Sequence, residues 1–254
     1  MPNFAKTEAI VLNAARWRES SKIVHLFTAE HGYLKVIAKG AFRPKSPFRG
    51  LLEALNHLEI VFSRRDNRDL QILTAVTLAN SFLNIREDLQ KTAIAFSVLE
   101  LIKKLFATHE PVVEFFRYTA SWLASLDAHS QIEIKGYLWH YLFKLSQTLG
   151  FGWELEKCQK RDAIPEIFPV FLDFHSGGIL CPTTEHHRAL DEISLDGKAW
   201  RQLFDLSKIS TEKLPELTRT GQFLSRPDVT EILLRHLEYH TESRLELKSL
   251  NWYV

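Results

Sequence analysis

The hydrophobic period of the chain changes once, near residue 80, and this change constrains the fold more than any other feature of the sequence. Before it, short apolar runs alternate with polar residues, as along strands. After it, apolar side chains recur every three or four residues, as along helices. Thr7–Leu12, Lys22–Thr28, Tyr33–Ala38, Leu55–Phe62 and Leu70–Leu78 read as five strands. Glu30-His31-Gly32 reads as a turn, and the polar segment 63–69 as a hairpin tip.

Five short strands with no long helix among them predict a small antiparallel barrel or sandwich, and a five-stranded oligonucleotide-binding (OB) barrel is one natural candidate. Beyond residue 80, helical spacing covers 88–107, 112–126 and 130–149. The stretch 151–187 is irregular and holds both cysteines, and helical patterns return over 195–206, 211–218 and 227–247. The expected fold class is α+β and multidomain: a small β domain over 1–80, then a helical domain over 81–254 with 151–187 inserted in it.

Charge is segregated along this order. The chain carries 32 Lys+Arg against 31 Asp+Glu, a net charge of +1. Residues 1–80 hold twelve basic and seven acidic side chains, so 81–254 hold twenty and twenty-four. No Asp or Glu occurs between Glu30 and Glu53, a window that carries Lys35, Lys39, Arg43, Lys45 and Arg49 beside Tyr33, Phe42 and Phe48. A local positive field of this kind suits a polyanion, because neutralised phosphates release counterions, and aromatic faces can stack on unpaired bases. It equally suits a solvated basic loop that guards a sheet edge. Phe42 and Phe48 have two readings as well, stacking platforms or packing at the barrel end.

The motifs of common catalysis are absent. There is no GxxxxGK(S/T) loop, no GxGxxG after a strand, no HExxH and no GxSxG. Glu185-His186-His187 is metal-friendly in type, but neighbouring side chains on a helix diverge. No catalytic residue is nominated, and no enzyme activity is expected. No run approaches the roughly eighteen apolar residues of a membrane span, so a cytoplasmic location without membrane contact is expected.

Two cysteines carry the remaining signal. Cys158 and Cys181 stand where the first and third ligands of a CxxC…CxxC zinc ribbon would stand, with Arg161 and Thr184 in place of the other two. An arginine cation cannot ligate a metal and threonine is a poor ligand, so no zinc and no other cofactor is expected. His175 with His186 or His187 is the conceivable rescue. Otherwise the pair is a degenerate knuckle of small buried hydrophobes.

In this order the features resemble the bacterial RecO family of recombination mediators. The resemblance runs through Lys6–Leu12, Glu19–Thr28, Gly32-Tyr-Leu-Lys-Val-Ile-Ala-Lys-Gly-Ala41, Arg43-Pro-Lys-Ser46 and Phe48-Arg-Gly50. It continues through Ser81–Leu101, Leu149-Gly-Phe151, Gly177–Cys181 and Leu233–Leu250. It departs at the knuckle, where many members carry four cysteines.

The resemblance implies an OB barrel, a helical domain and a zinc-finger-like insertion. It also implies single- and double-stranded DNA as ligands, annealing of complementary strands, and loading of RecA with the partner RecR. A further implied partner is the acidic C-terminal tail of single-stranded-DNA-binding protein. On that reading Lys22, Lys35, Lys39, Arg43, Lys45 and Arg49 contact phosphates, with Tyr33 or Phe42 as stacking platforms; Lys6, Arg16 and Arg18 extend the track. Lys103, Lys104, Lys135 and Trp139 are candidates for the rim of a groove that takes the acidic peptide. The alternative is an RNA-binding or nucleic-acid-processing protein built on the same barrel.

Overall fold

The structure, a computed structural model, describes residues 3–65, 67–106, 110–182, 193–219, 221–223 and 226–252. The chain divides into two compact units, 1–128 with 247–254, and 129–246.

The first unit begins with β1 (Asn3–Trp17), β2 (Ser21–Thr28), β3 (Gly32–Ala38), β4 (His57–Arg64) and β5 (Leu70–Asn80). They pair in a ring, β1-β2-β3-β5-β4, that closes back on β1. Alternation sends every second side chain inward: Val24 and Leu26, Leu34 and Val36, Leu58, Ile60 and Phe62 share one core with Ala9, Val11 and Leu73. Four of the five pairings are antiparallel. The exception is β3 with β5, which run parallel, Lys35 opposite Leu70 and Ile37 opposite Ile72. The antiparallel expectation missed it because this pairing is non-local: the chain crosses one end of the barrel between β3 and β4 before β5 can return beside β3.

The outward face of β2 carries apolar side chains as well, among them Phe27. Phe27 is fully buried, with its ring centroid 5.7, 6.2 and 5.5 Å from those of Phe106, Phe115 and Phe116. Three helices follow, α1 (Leu83–Glu87), α2 (Leu89–Leu105) and α3 (Val113–Ala128), and the residue that ends α2, Phe106, supplies that cover together with α3. Asp88 caps α2, its carboxylate accepting from the backbone N–H groups of Gln90 and Lys91. The switch of period at residue 80 is therefore a change of secondary structure and not of compact unit: burying Phe27 keeps these helices with the barrel. A 3-10 turn, Lys248–Trp252, completes the unit, and Ser249 Oγ donates to Glu100 Oε1 on α2 at 2.8 Å.

The second unit opens with α4 (Ile134–Thr148), whose Tyr137, Trp139, Tyr141 and Leu142 are buried. The stretch read as irregular contains strands: β6 (Glu154–Cys158), β7 (Val170–Asp173), β8 (Gly178–Leu180) and β9 (Ile193–Leu195) form a sheet ordered β6-β8-β7-β9. Each has three to five residues, too few for a visible period. Helices α5 (Gly197–Lys208), α6 (Leu214–Leu217) and α7 (Pro227–Thr241) follow. Glu242 then turns left-handed at φ 49° and ends α7 short of the expected residue 247. Among the described residues, no helix is long and apolar enough to cross a membrane.

Candidate nucleic-acid interface

The basic window forms the end of β3 and the loop 39–56. Gly40 adopts φ +73°, which an L side chain rarely does, and the Arg43 stem lies against it. Successive turns follow: Arg43 N–H donates to the Gly40 carbonyl and Ser46 N–H to the Arg43 carbonyl, each at 3.0 Å, and Leu51 N–H to the Phe48 carbonyl at 3.2 Å. Phe48 and Leu52 sink into the barrel core. With these apolar anchors turned inward, Lys39, Arg43, Lys45 and Arg49 stand exposed on the outside.

Both ends of the loop are tied down. Phe42 N–H donates to the Ser20 carbonyl at 3.0 Å, which joins the loop to the β1–β2 turn. Arg86 Nη2 on α1 donates to the Ala54 carbonyl at 2.6 Å and to Asn56 Oδ1 at 2.9 Å. The cations thus ride on a held backbone, so they can meet an anion without first paying to order the loop.

The two phenylalanines part company. Phe48 is core, whereas Phe42 is 47% exposed with the Arg16 guanidinium 5.1 Å above its ring. Next along the turn, Trp17 is 45% exposed and Arg18 lies 6.0 Å from its ring centroid. Trp17 was missed as a stacking candidate, although the run Arg16-Trp17-Arg18 carried the signal.

Four candidates sit elsewhere. Lys22 is turned inward: its Nζ donates to the Leu52 carbonyl at 2.8 Å and to Glu53 Oε1 at 2.9 Å, so it braces the loop. Lys6 pairs with Glu59 at 2.7 Å. Tyr33 is buried, its hydroxyl bonded to His25 Nδ1, and offers no face for stacking. Lys35 reaches toward that ring at 5.9 Å on the strand, away from the loop. Burial, together with the charges of Lys103 and Lys35, holds the His25 imidazole below its usual pKa.

A second basic cluster lies at the other end of β3. Exposed Arg64, Arg65 and Arg68 line a cleft of about 710 Å³ with His31 and Gln71. The Gln71 amide both donates to the Arg65 carbonyl and accepts from its N–H, each at 2.9 Å, which fixes the hairpin tip. Burial and the Arg64 charge hold His31 low, against Glu30. In the sequence alone this tip shows only as a polar turn.

The peptide-groove candidates fall in separate units. Lys103 and Lys104 are exposed near the C-terminal end of α2. Lys135 is half-buried on α4, and Trp139 is core: its Nε1 donates to Thr230 Oγ1 at 2.8 Å and its ring meets Phe223. A fully packed indole cannot wall an open groove, which corrects its assignment.

In the knuckle, the Cys181 backbone N–H donates to Cys158 Sγ at 3.1 Å. Burial works to raise the Cys158 pKa, but the Cys181 thiol and the N–H groups of Arg161, Lys160 and Cys181 bond its sulfur and bring it below the ordinary thiol value. Burial, the bond to Cys158 and the charge there push Cys181 up to about 11. Arg161 Nη2 donates to the Pro182 carbonyl at 3.3 Å. Among the described residues no three His, Cys, Asp or Glu gather as a ligand set, and His175 is engaged with Asp173. Thr184, Glu185, His186 and His187 lie outside the described residues. Among the described residues, two sulfurs and a guanidinium do not make up a tetrahedral zinc set.

Fold and loop together define a class, the α+β proteins that present a basic loop on a small five-stranded barrel. Within it, the family description "Recombination protein O N terminal" matches residues 1–82 and "Recombination protein O C terminal" matches 86–250. The chain belongs to the recombination protein O (RecO) family. It is similar to the DNA repair protein RecO of Caldanaerobacter subterraneus subsp. tengcongensis, 28% identical over 246 residues, covering 95% of this chain and 96% of that one. It is similar also to those of Chlorobium limicola, 29% identical with 84% of each chain covered, and Chlorobium phaeobacteroides, 32% identical with 71% of each covered.

Proposed function

We propose that the chain is a non-enzymatic mediator of DNA repair and homologous recombination, working in the cytoplasm without a resident metal. On this reading the barrel is an OB fold that binds single-stranded and double-stranded DNA through Lys39, Arg43, Lys45 and Arg49, with Phe42 stacking on an unpaired base. The observation that carries it is the held loop: four exposed cations on a backbone clamped by Phe48 and Leu52, in a chain of the RecO family. Phosphate contacts of this sort bind without reading sequence, as annealing any pair of complementary strands requires. Annealing needs no acid–base group. It needs two strands screened from each other with their bases exposed.

RecR and the acidic tail of single-stranded-DNA-binding protein are the proposed partners, through which RecA loading would follow. Lys103 and Lys104 supply charge suited to that tail. A strand-annealing assay with complementary oligonucleotides, with and without Mg²⁺, tests the reading. Faster annealing with both strands intact is expected. Cleavage products, or no acceleration over protein-free controls, would overturn it.

A further inference from the structure

The barrel carries an exposed basic surface at each end of β3. The loop 39–56 follows its last residue, Ala38, and the hairpin tip 65–69 shares a cleft with His31, which precedes its first. β3 has seven residues, so at about 3.3 Å per residue the two surfaces stand roughly 20 Å apart.

In barrels of the OB type, oligonucleotides bind on the outer face of the second and third strands and on the loops that flank it. Here that face is covered between the two ends. Phe27 of β2 packs under Phe106, Phe115 and Phe116, and its partner across the ladder, Tyr33 of β3, is buried as well. The Tyr33 hydroxyl is bonded to His25 Nδ1, on the next outward residue of β2. A DNA strand that starts at the loop therefore meets packed aromatic rings before it reaches the tip.

The same cover helps to wall the far cleft, since Pro111, just ahead of α3, lines it with Arg65 and Arg68. Both arginines are exposed, on a backbone fixed from inside. Buried Gln71 exchanges two bonds with the Arg65 main chain and donates another to the Arg68 carbonyl, while Arg68 N–H donates to the Arg65 carbonyl at 3.2 Å. Of the two carboxylates in the lining, Glu30 accepts from the Thr7 hydroxyl and Asp69 is the other. Guanidinium forks match phosphate oxygens two bonds at a time. An acidic peptide with an apolar end would find no seat for that end, because Leu34 and Phe62 at the cleft are themselves buried.

We infer that the cleft at the 65–69 tip holds the sugar–phosphate backbone of a second DNA strand while the 39–56 loop holds the first. The inference rests on the DNA-binding reading of the loop proposed above. It gives annealing two separate sites: the aromatic cover keeps the strands from competing for one groove, so both are present on one molecule when their bases meet.

Native mass spectrometry with a short oligothymidylate, which cannot pair with itself, counts the strands. Two per chain are expected for the wild type and one for Arg65→Ala/Arg68→Ala, whose urea unfolding should stay near wild type. The double variant should anneal complementary oligonucleotides about tenfold more slowly, with first-strand affinity changed by less than about twofold. One strand on the wild type, two on the folded double variant, or an unchanged annealing rate would each overturn the inference. So would a glutamate-rich peptide, or inorganic phosphate, occupying the cleft where no second oligonucleotide binds. Lys39→Ala/Arg43→Ala/Lys45→Ala separates this from the reading it rests on. Loss of one strand there supports the loop whatever the tip variant does, and loss of none overturns the reading and the inference with it.

Discussion

Lys22 Nζ donates to the Leu52 carbonyl at 2.8 Å, a bond that runs from β2 to the far side of the basic loop. The ammonium is only 14% exposed as a side chain, and Glu53 shares it. Lys22→Met should therefore lower stability by about 1–2 kcal/mol, a charged hydrogen bond discounted for the exposed Glu53 partner. The salt dependence of DNA binding should stay unchanged in the same variant. A slope reduced by about one unit with stability intact would return Lys22 to the phosphate track.

Lys39, Arg43 and Lys45 should behave in the opposite way. Replacing all three with alanine should leave urea unfolding near wild type. If each meets one phosphate, the slope of log affinity for single-stranded DNA against log salt should fall by about 2 units. An unaltered slope would remove the loop from the interface.

Phe42 and Phe48 offer a paired comparison, six residues apart on one loop. Phe48→Ala, which empties a core site, should cost roughly 3 kcal/mol of stability. Phe42→Ala should cost little stability and weaken single-stranded-DNA binding by about 1 kcal/mol or more through a lost base stack. Denaturant unfolding and fluorescence anisotropy on both variants separate the two roles.

His140 gives the second unit an acid-sensitive element. Burial holds its pKa down to about 4, against the bond from its Nε2 to the Ile209 carbonyl at 3.1 Å. A depressed folded-state value means that the unfolded chain takes up the proton first. Stability is then full above about pH 6.5 and is lost as pH falls toward 4. The loss by pH 5 should reach about 2 kcal/mol from this group. Unfolding of wild type and His140→Gln at pH 8 and pH 5 checks it: the variant should have lost that part of the pH dependence.

At the knuckle, zinc content by elemental measurement should stay below about a tenth of an equivalent, since two thiolates cannot complete the usual four-ligand site. Chelator should leave the unfolding temperature unmoved. Cys158→Ala, by contrast, should cost about 1–2 kcal/mol, because the Cys181 N–H loses its buried acceptor.

The barrel was legible because alternation over Lys22–Thr28 and Tyr33–Ala38 is a local signal. What alternation does not say is which face meets another layer. Phe27 and Tyr33 both lie on the outer side of their strands, and helices unseen in the strand pattern bury the faces around Phe27. The parallel β3–β5 pair and the strands β6–β9 were hidden for related reasons, one being long-range and the others too short. In the loop, the charge pattern singled out Lys39, Arg43, Lys45 and Arg49, and the structure leaves all four exposed. It could not separate Phe42 from Phe48, because that depends on where the turns at Gly40 and Ser46 point the chain. Lys22 looked like one more cation; only its neighbours in space identify it as a brace.

The bond from Ser249 to Glu100 spans 149 positions of sequence and lies within the unit that starts with the barrel. On a ribosome, which releases the chain from its N-terminus, the barrel and α1–α3 can gather early, yet the wall of α2 that Ser249 completes must wait while all of 129–246 is made. The intervening unit has time to fold as a closed excursion, and the seam at Glu100 shuts last.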